Sequence, residues 1–207
     1  MHIPSAPSSQ LEILSFSEAM DRSGHSGGYD AGHWLYVPDF YTDYRYILGT
    51  RGADPLICVG INPSTAEPDH LDNTLKSVAR IAAANGFDSW VMFNVYAQRA
   101  TDPDDMDRVL NPRLHAENMA AFEYVLSHVG AGHQPAVWAA WGTILEKRPY
   151  LPGCVRDMIR LGEKYNARWL RAGRLSVKGH PHHPLYLKKD EPVCPFDIEA
   201  YLNGLGY

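Results

Sequence analysis

Leu56-Ile57-Cys58-Val59-Gly60-Ile61-Asn62-Pro63-Ser64 decides how this chain is read: an unbroken apolar run, a glycine, then an Asn-Pro pair that turns the backbone. A run this short, closed by turn residues, is a strand buried on both faces, and such strands belong to parallel sheets covered by helices. Upstream, Tyr44-Arg45-Tyr46-Ile47-Leu48 and the turn Gly49-Thr50-Arg51-Gly52 read as an edge strand leading into it. Downstream, Asp72-Asn73-Thr74 can cap a helix whose apolar positions Leu75, Val78, Ile81 and Ala82 keep helical spacing until Asn85-Gly86 stops it. A second strand is expected over 90–95. A helix over 114–129 places Met119, Phe122, Val125 and Leu126 on one face, and a third strand is expected over 136–141, ending at Gly142. An amphipathic segment over 155–165 leads to a fourth strand at Arg168-Trp169-Leu170 and then to the loop Gly179-His180-Pro181-His182-His183-Pro184.

This alternation predicts a three-layer α/β/α fold with a central, mostly parallel four-stranded sheet and ligands bound beyond the carboxyl ends of its strands. Residues 1–35, with Ser5-Ala6-Pro7-Ser8-Ser9 and Ser23-Gly24-His25-Ser26-Gly27-Gly28, read as a loosely ordered extension, and 36–207 as a single α/β domain.

With 207 residues, 45% of them hydrophobic and 21% charged, the chain can bury one substantial core without disulfides or metal. No apolar run approaches the roughly 18 residues of a membrane span and the N-terminus lacks a signal-peptide layout, so a cytoplasmic protein is expected. Cys58, Cys154 and Cys194 are too scattered for zinc or an iron–sulfur cluster and read as free thiols; no cofactor is called for. The net charge of −5 hides an asymmetry: from Glu146 to Lys189 eleven Lys or Arg stand against three acids. Such a segment suits either a phosphate backbone or a solvated helix face.

Three strand-end motifs carry a family resemblance. Gly60-Ile61-Asn62-Pro63-Ser64 resembles the first motif of mismatch-specific thymine/uracil-DNA glycosylases, the late His-Pro segment is similar to the second motif of the uracil-DNA-glycosylase superfamily, and Asn94 is placed like that superfamily's base-reading Asn. Asn62-Pro63-Ser64-Thr65-Ala66, Arg99-Ala100-Thr101-Asp102-Pro103, Ala140-Trp141-Gly142 and His183-Pro184-Leu185-Tyr186-Leu187 also resemble a domain family of unknown function, over about 44–196.

The resemblance implies cleavage of the bond between a base and its sugar, where positive charge develops on the sugar and negative charge on the departing base. Asn62 would position the attacking water; its alternative is a turn residue ahead of Pro63. Asn94 offers a donor and an acceptor to a pyrimidine edge, or simply closes a strand. His183, or His180 or His182, would donate to the base oxygen that gains charge; three histidines in one short loop also raise a metal site or an ordinary polar loop. Gly60, Ile61, Pro63, Trp141, Pro184, Leu185 and Tyr186 would complete the substrate-binding surface. Ser64 stands where uracil-specific members carry a bulky Tyr, so the pocket would admit a group on the fifth carbon of a pyrimidine. Glu67, Asp69 or Asp72 could orient the water, cap a helix or lie in solvent, and Arg99 could clamp a phosphate or pair with Asp102.

The resulting expectation is a DNA glycosylase that excises a 5-modified pyrimidine flipped from the duplex, in repair or defence against modified foreign DNA, with DNA as partner and no membrane or obligate protein partner. The alternatives are a non-catalytic DNA or modified-base binding module of the same fold, and a nucleoside or nucleotide N-glycosidase.

Overall fold

The structure, a computed structural model, describes residues 1–24, 28–128 and 132–205. His25, Ser26, Gly27 and the expected helix end at Val129 lie outside the described residues. In chain order the strands are β1 (Trp34–Val37), β2 (Ile47–Thr50), β3 (Pro55–Gly60), β4 (Ser89–Asn94), β5 (Ala136–Ala139), β6 (Arg168–Ala172) and β7 (Val193–Pro195). The helices are α1 (Phe16–Arg22), α2 (Asn73–Ala84), α3 (Pro112–His128), α4 (Leu151–Lys164) and α5 (Ile198–Gly204).

The strands form one mixed sheet in the order β1-β2-β4-β3-β5-β6-β7. Its centre, β4-β3-β5-β6, is parallel and comprises the four expected strands. The sheet is nonetheless seven-stranded, not four-stranded: β1 and β2 extend it antiparallel on one side and β7 on the other. The segment read as an edge strand is β2, shifted to 47–50 and held inside the sheet between β1 and β4.

Strand residues alternate between two apolar layers, as a pleat requires. Leu56, Cys58, Trp90, Met92, Trp138 and Leu170 face α2 with Leu75, Val78 and Ile81. Ile57, Val59, Phe93, Val95 and Val137 face the other way, toward Phe122, Val125, Val155 and Ile159 of α3 and α4. Part of the 1–35 segment packs into this second layer: Ile13, Leu14, Phe16 and Ala19 are buried, and Ser15 and Glu18 form a reciprocal capping box at the start of α1. Burial of these apolar side chains outweighs the turn-rich flanks that made the segment read as loose.

The chain leaves β3 through α2 to reach β4 on one side, then crosses back to β5 on the other side of β3. Strand-end loops diverge at such a reversal and open a crevice between them.

Candidate functional site

A cleft of about 440 Å³ opens at this point. Ile61, Asn62, Pro63 and Ser64 from the loop after β3 form one wall, with His183, Leu185 and Tyr186 from the His-Pro loop opposite. The first turn of α2 (Asp72, Asn73, Thr74, Leu75) closes one end, and Ala100, Thr101 and Pro103 line the cleft from the loop beyond β4. The sequence thus brings together seven of the expected site residues.

Asn62 is locked in orientation. Its Nδ2 donates to the Ala100 carbonyl at 2.7 Å and to the Pro63 carbonyl at 3.1 Å, so Oδ1 is the acceptor left without a donor among the described residues. His183 is fixed in the complementary sense: the Leu185 backbone N–H donates to Nδ1 at 3.4 Å. A neutral imidazole that accepts at Nδ1 carries its proton on Nε2, which is then the free donor. Burial pulls the His183 pKa below its ordinary value, against the opposing attraction of Asp72, which favours this neutral form. The site therefore presents an oriented amide acceptor and a neutral N–H donor in one crevice.

Of the three acids in the 67–72 stretch, Asp72 is the one that lines the cleft; its Oδ1 accepts from Leu75 N at 2.9 Å and caps α2. Glu67 instead accepts from the Tyr36 hydroxyl at 3.5 Å, and Asp69 from Trp34 Nε1 at 3.2 Å. Ser64 Oγ lies 3.1 Å from Thr101 Oγ1, leaving a small side chain on that wall.

Other expected residues lie elsewhere. Asn94 is buried beneath the cleft, its Oδ1 accepting from Arg45 Nη2 at 3.4 Å and its Nδ2 without a partner among the described residues. Gly60 lies against it: a Cβ there would stand 2.6 Å from Met92 Cε and 3.1 Å from Asn94 Nδ2. Pro184 is buried at the start of a short 3-10 turn, and Trp141 is a core residue whose Nε1 donates to the Tyr201 hydroxyl at 2.9 Å. That hydroxyl in turn donates to His180 Nδ1 at 2.8 Å, and His180 Nε2 donates to Glu146 at 3.0 Å. Both ring nitrogens of His180 are thereby engaged away from the cleft, so it clamps the His-Pro loop to α5 instead of facing a substrate. Gly142, at φ 61°, donates its N–H to the Pro181 carbonyl at 3.0 Å and ties the same loop to the end of β5.

Arg99 neither pairs with Asp102 nor reaches the cleft. It is fully buried, bonded through Nη1 to the Ser64 and Ala66 carbonyls and through Nη2 to Tyr36 Oη, with its guanidinium 4.4 Å from the Tyr41 ring centre. Its work is to shape the 64–66 loop. Arg45, which sequence reasoning did not single out, lines the cleft floor; a lone cation inside the otherwise apolar Tyr44–Leu48 run was the signal.

Five of the eleven basic residues in the 146–189 segment are ion-paired. Lys147 and Arg148 pair with Asp104, Arg160 with Asp157, Lys164 with Glu123 and Lys178 with Glu146. Arg156, Arg168, Arg171, Arg174, Lys188 and Lys189 hold no ion pair among the described residues, and the last two follow one residue after the exposed Leu185-Tyr186 lip. Among the described residues no group of three or more His, Cys, Asp or Glu is arranged to hold a metal ion, and no helix is long and apolar enough to cross a membrane. Burial pushes the Cys154 thiol up to about 12 and Cys58 well above its ordinary value, so neither offers a thiolate.

The family model described as "Protein of unknown function (DUF1643)" matches residues 45–185, well over half of the chain. The chain belongs to the DUF1643 family. Its matched region begins at Arg45 and ends at Leu185, both of which line the cleft, so the DUF1643 core contains every wall described above except Tyr186. Comparison with curated proteins and with solved structures found no match.

Proposed function

We propose that this DUF1643 protein hydrolyses the N-glycosidic bond of a pyrimidine nucleotide in DNA. The observation that carries the reading is the convergence of Asn62 and His183 in one crevice, with an open acceptor on one and an open neutral donor on the other. Asn62 Oδ1 accepts a hydrogen bond from water and aims its oxygen at the anomeric carbon of the sugar. As the bond breaks, its electron pair leaves with the base, and His183 Nε2–H donates to the pyrimidine oxygen on which that charge collects. The water oxygen joins the sugar and keeps one proton as the new hydroxyl, while its other proton is released and balances the one the departing base anion takes up. Asp72 is the carboxylate in the cleft available to relay the released proton.

Three features fit a DNA substrate. A crevice of about 440 Å³ has room for a base that has left the stack. Leu185 and Tyr186, 47% and 78% exposed at the lip, are the apolar side chains a duplex accommodates when a base is displaced. Ser64 leaves space for a substituent on the fifth carbon. The resemblance of Gly60-Ile61-Asn62-Pro63-Ser64 to glycosylase motifs supports the same reading. Hydrolysis of a free nucleotide is the second reading, favoured by the ion pairing of five of the eleven basic residues in the 146–189 segment. Incubation with oligonucleotides bearing uracil, thymine mismatches and 5-modified pyrimidines, followed by mass spectrometry, tests the proposal: free base and an abasic site support it, while intact DNA across the panel contradicts it.

A further inference from the structure

Two guanidinium groups lie at and behind the cleft floor without a carboxylate in ion-pair contact. Arg45 is 1% exposed and Arg99 0%, and neither takes part in any salt bridge among the described residues. Ala66 O accepts from both, at 3.0 Å from Arg45 Nη1 and 3.2 Å from Arg99 Nη1. Apart from that carbonyl, Arg45 holds Asn94 Oδ1 at 3.4 Å, and its Nε is buried with no partner among the described residues. Carbonyl and amide dipoles satisfy donors but supply no counter-charge, and a buried guanidinium without one carries a heavy desolvation penalty.

The nearby acids do not close this gap. Asp72 lines the cleft and attracts Arg45, yet makes no ion-pair contact with it and spends Oδ1 capping α2. Glu67 sits beyond Tyr36, on the side of Arg99. Burial first, and the Arg99 charge second, pull the Arg45 pKa down to about 9. Arginine resists giving up its proton, so relief comes from an incoming anion.

We infer that the floor of the cleft is an oxyanion subsite, in which Arg45 takes a carboxylate or phosphate oxygen of the substrate with Asn94 braced behind it. A guanidinium fork matches either group, and its bonds to them are strong because both partners are charged. The inference names the substrate class of the proposed reaction and rests on that reading only for which bond is cut.

Thermal melting of the full chain at constant ionic strength, set with chloride, tests this. The probes are inorganic phosphate, acetate, deoxyuridine, deoxyuridine 5′-monophosphate and 5-carboxydeoxyuridine. At ten times its Kd, an anion held here raises the melting temperature by about 3–6 °C. A shift with the monophosphate beyond that with deoxyuridine assigns the subsite to a phosphate, and the same excess with the 5-carboxy nucleoside assigns it to a carboxylate on the base. Arg45→Met abolishes the excess. Should that variant fail to fold, Asn94→Asp decides: its carboxylate supplies the missing charge from within, so it melts higher than wild type without ligand and no longer responds. Anions no better than deoxyuridine, or a full response in Asn94→Asp, overturn the subsite. Base release without an anion response leaves the glycosylase reading standing and removes this inference; an anion response without base release does the reverse.

Discussion

Replacing Asn62 by Ala separates its structural tie from the water-orienting role that the proposed reaction gives it. Nδ2 holds the Ala100 and Pro63 carbonyls at 2.7 and 3.1 Å, and Ala100 is only 2% exposed. At about 1 kcal/mol per net hydrogen bond, the variant loses about 2 kcal/mol of stability, which lowers the melting temperature of a chain this size by about 4–8 °C. Asn62→Asp keeps the shape but turns a carboxylate oxygen toward those carbonyls, so it falls further than the Ala variant. Assayed at a temperature where both variants are shown to be folded, Asn62→Ala slows single-turnover base release by about a hundredfold or more while leaving DNA affinity nearly unchanged, as expected of a group that acts in the transition state. Unchanged melting refutes the anchoring bonds. A full rate, or an affinity loss as large as the rate loss, refutes the water-orienting role.

His183→Gln lowers base release by about 10²–10³, the range typical of a lost oxyanion donor. His183 also leaves a pH signature: its folded-state pKa lies below the unfolded value, so its stabilisation is complete above about pH 6.5 and is lost as pH falls through the depressed value. The Gln variant therefore has a shallower acid-side loss of melting temperature, with the remainder including His2, depressed in the same direction. His180→Ala strands the Tyr201 hydroxyl and Glu146, costs about 2 kcal/mol of stability and keeps base release within about tenfold of wild type at 25 °C; an equally stable but inactive variant contradicts its place outside the cleft. Ser64→Tyr, measured on matched oligonucleotides, abolishes release of pyrimidines with large five-position groups and spares unmodified uracil; equal slowing of both means that Ser64 does not face the base.

The four parallel strands were legible because each is a short apolar run bounded by turn residues, and the helices between them show helical spacing. The flanking strands were not. Trp34–Val37 sits between Gly32-His33 and Pro38-Asp39, where punctuation masks the run, and Val193–Pro195 is three residues long with a proline in it. Their place in the sheet follows from pairing with distant strands, which local pattern does not encode.

At the site, Asn62, Ser64 and His183 could be located because a turn after a buried strand places side chains at the sheet's carboxyl edge. Two His-Pro pairs in one loop left His180 and His183 equivalent by spacing. Tyr201, far along the chain, separates them by drawing His180 into the Trp141–Glu146 network. Arg45 and Arg99 show the converse: their partners are backbone carbonyls of the 64–66 loop, and a carbonyl acceptor leaves no mark in residue identity. The local charge count is incomplete for a similar reason, since Lys147 and Lys164 meet acids some forty residues away.

Whether this cleft releases a base from DNA is decided by simultaneous mass-spectrometric counting of free pyrimidine and abasic sites after single turnover on the oligonucleotide panel. The expected result is the two in equal amounts from at least one substrate, with both absent for the Asn62→Ala, His183→Gln double variant. No free base from any substrate, or equal release by wild type and the double variant, would contradict it.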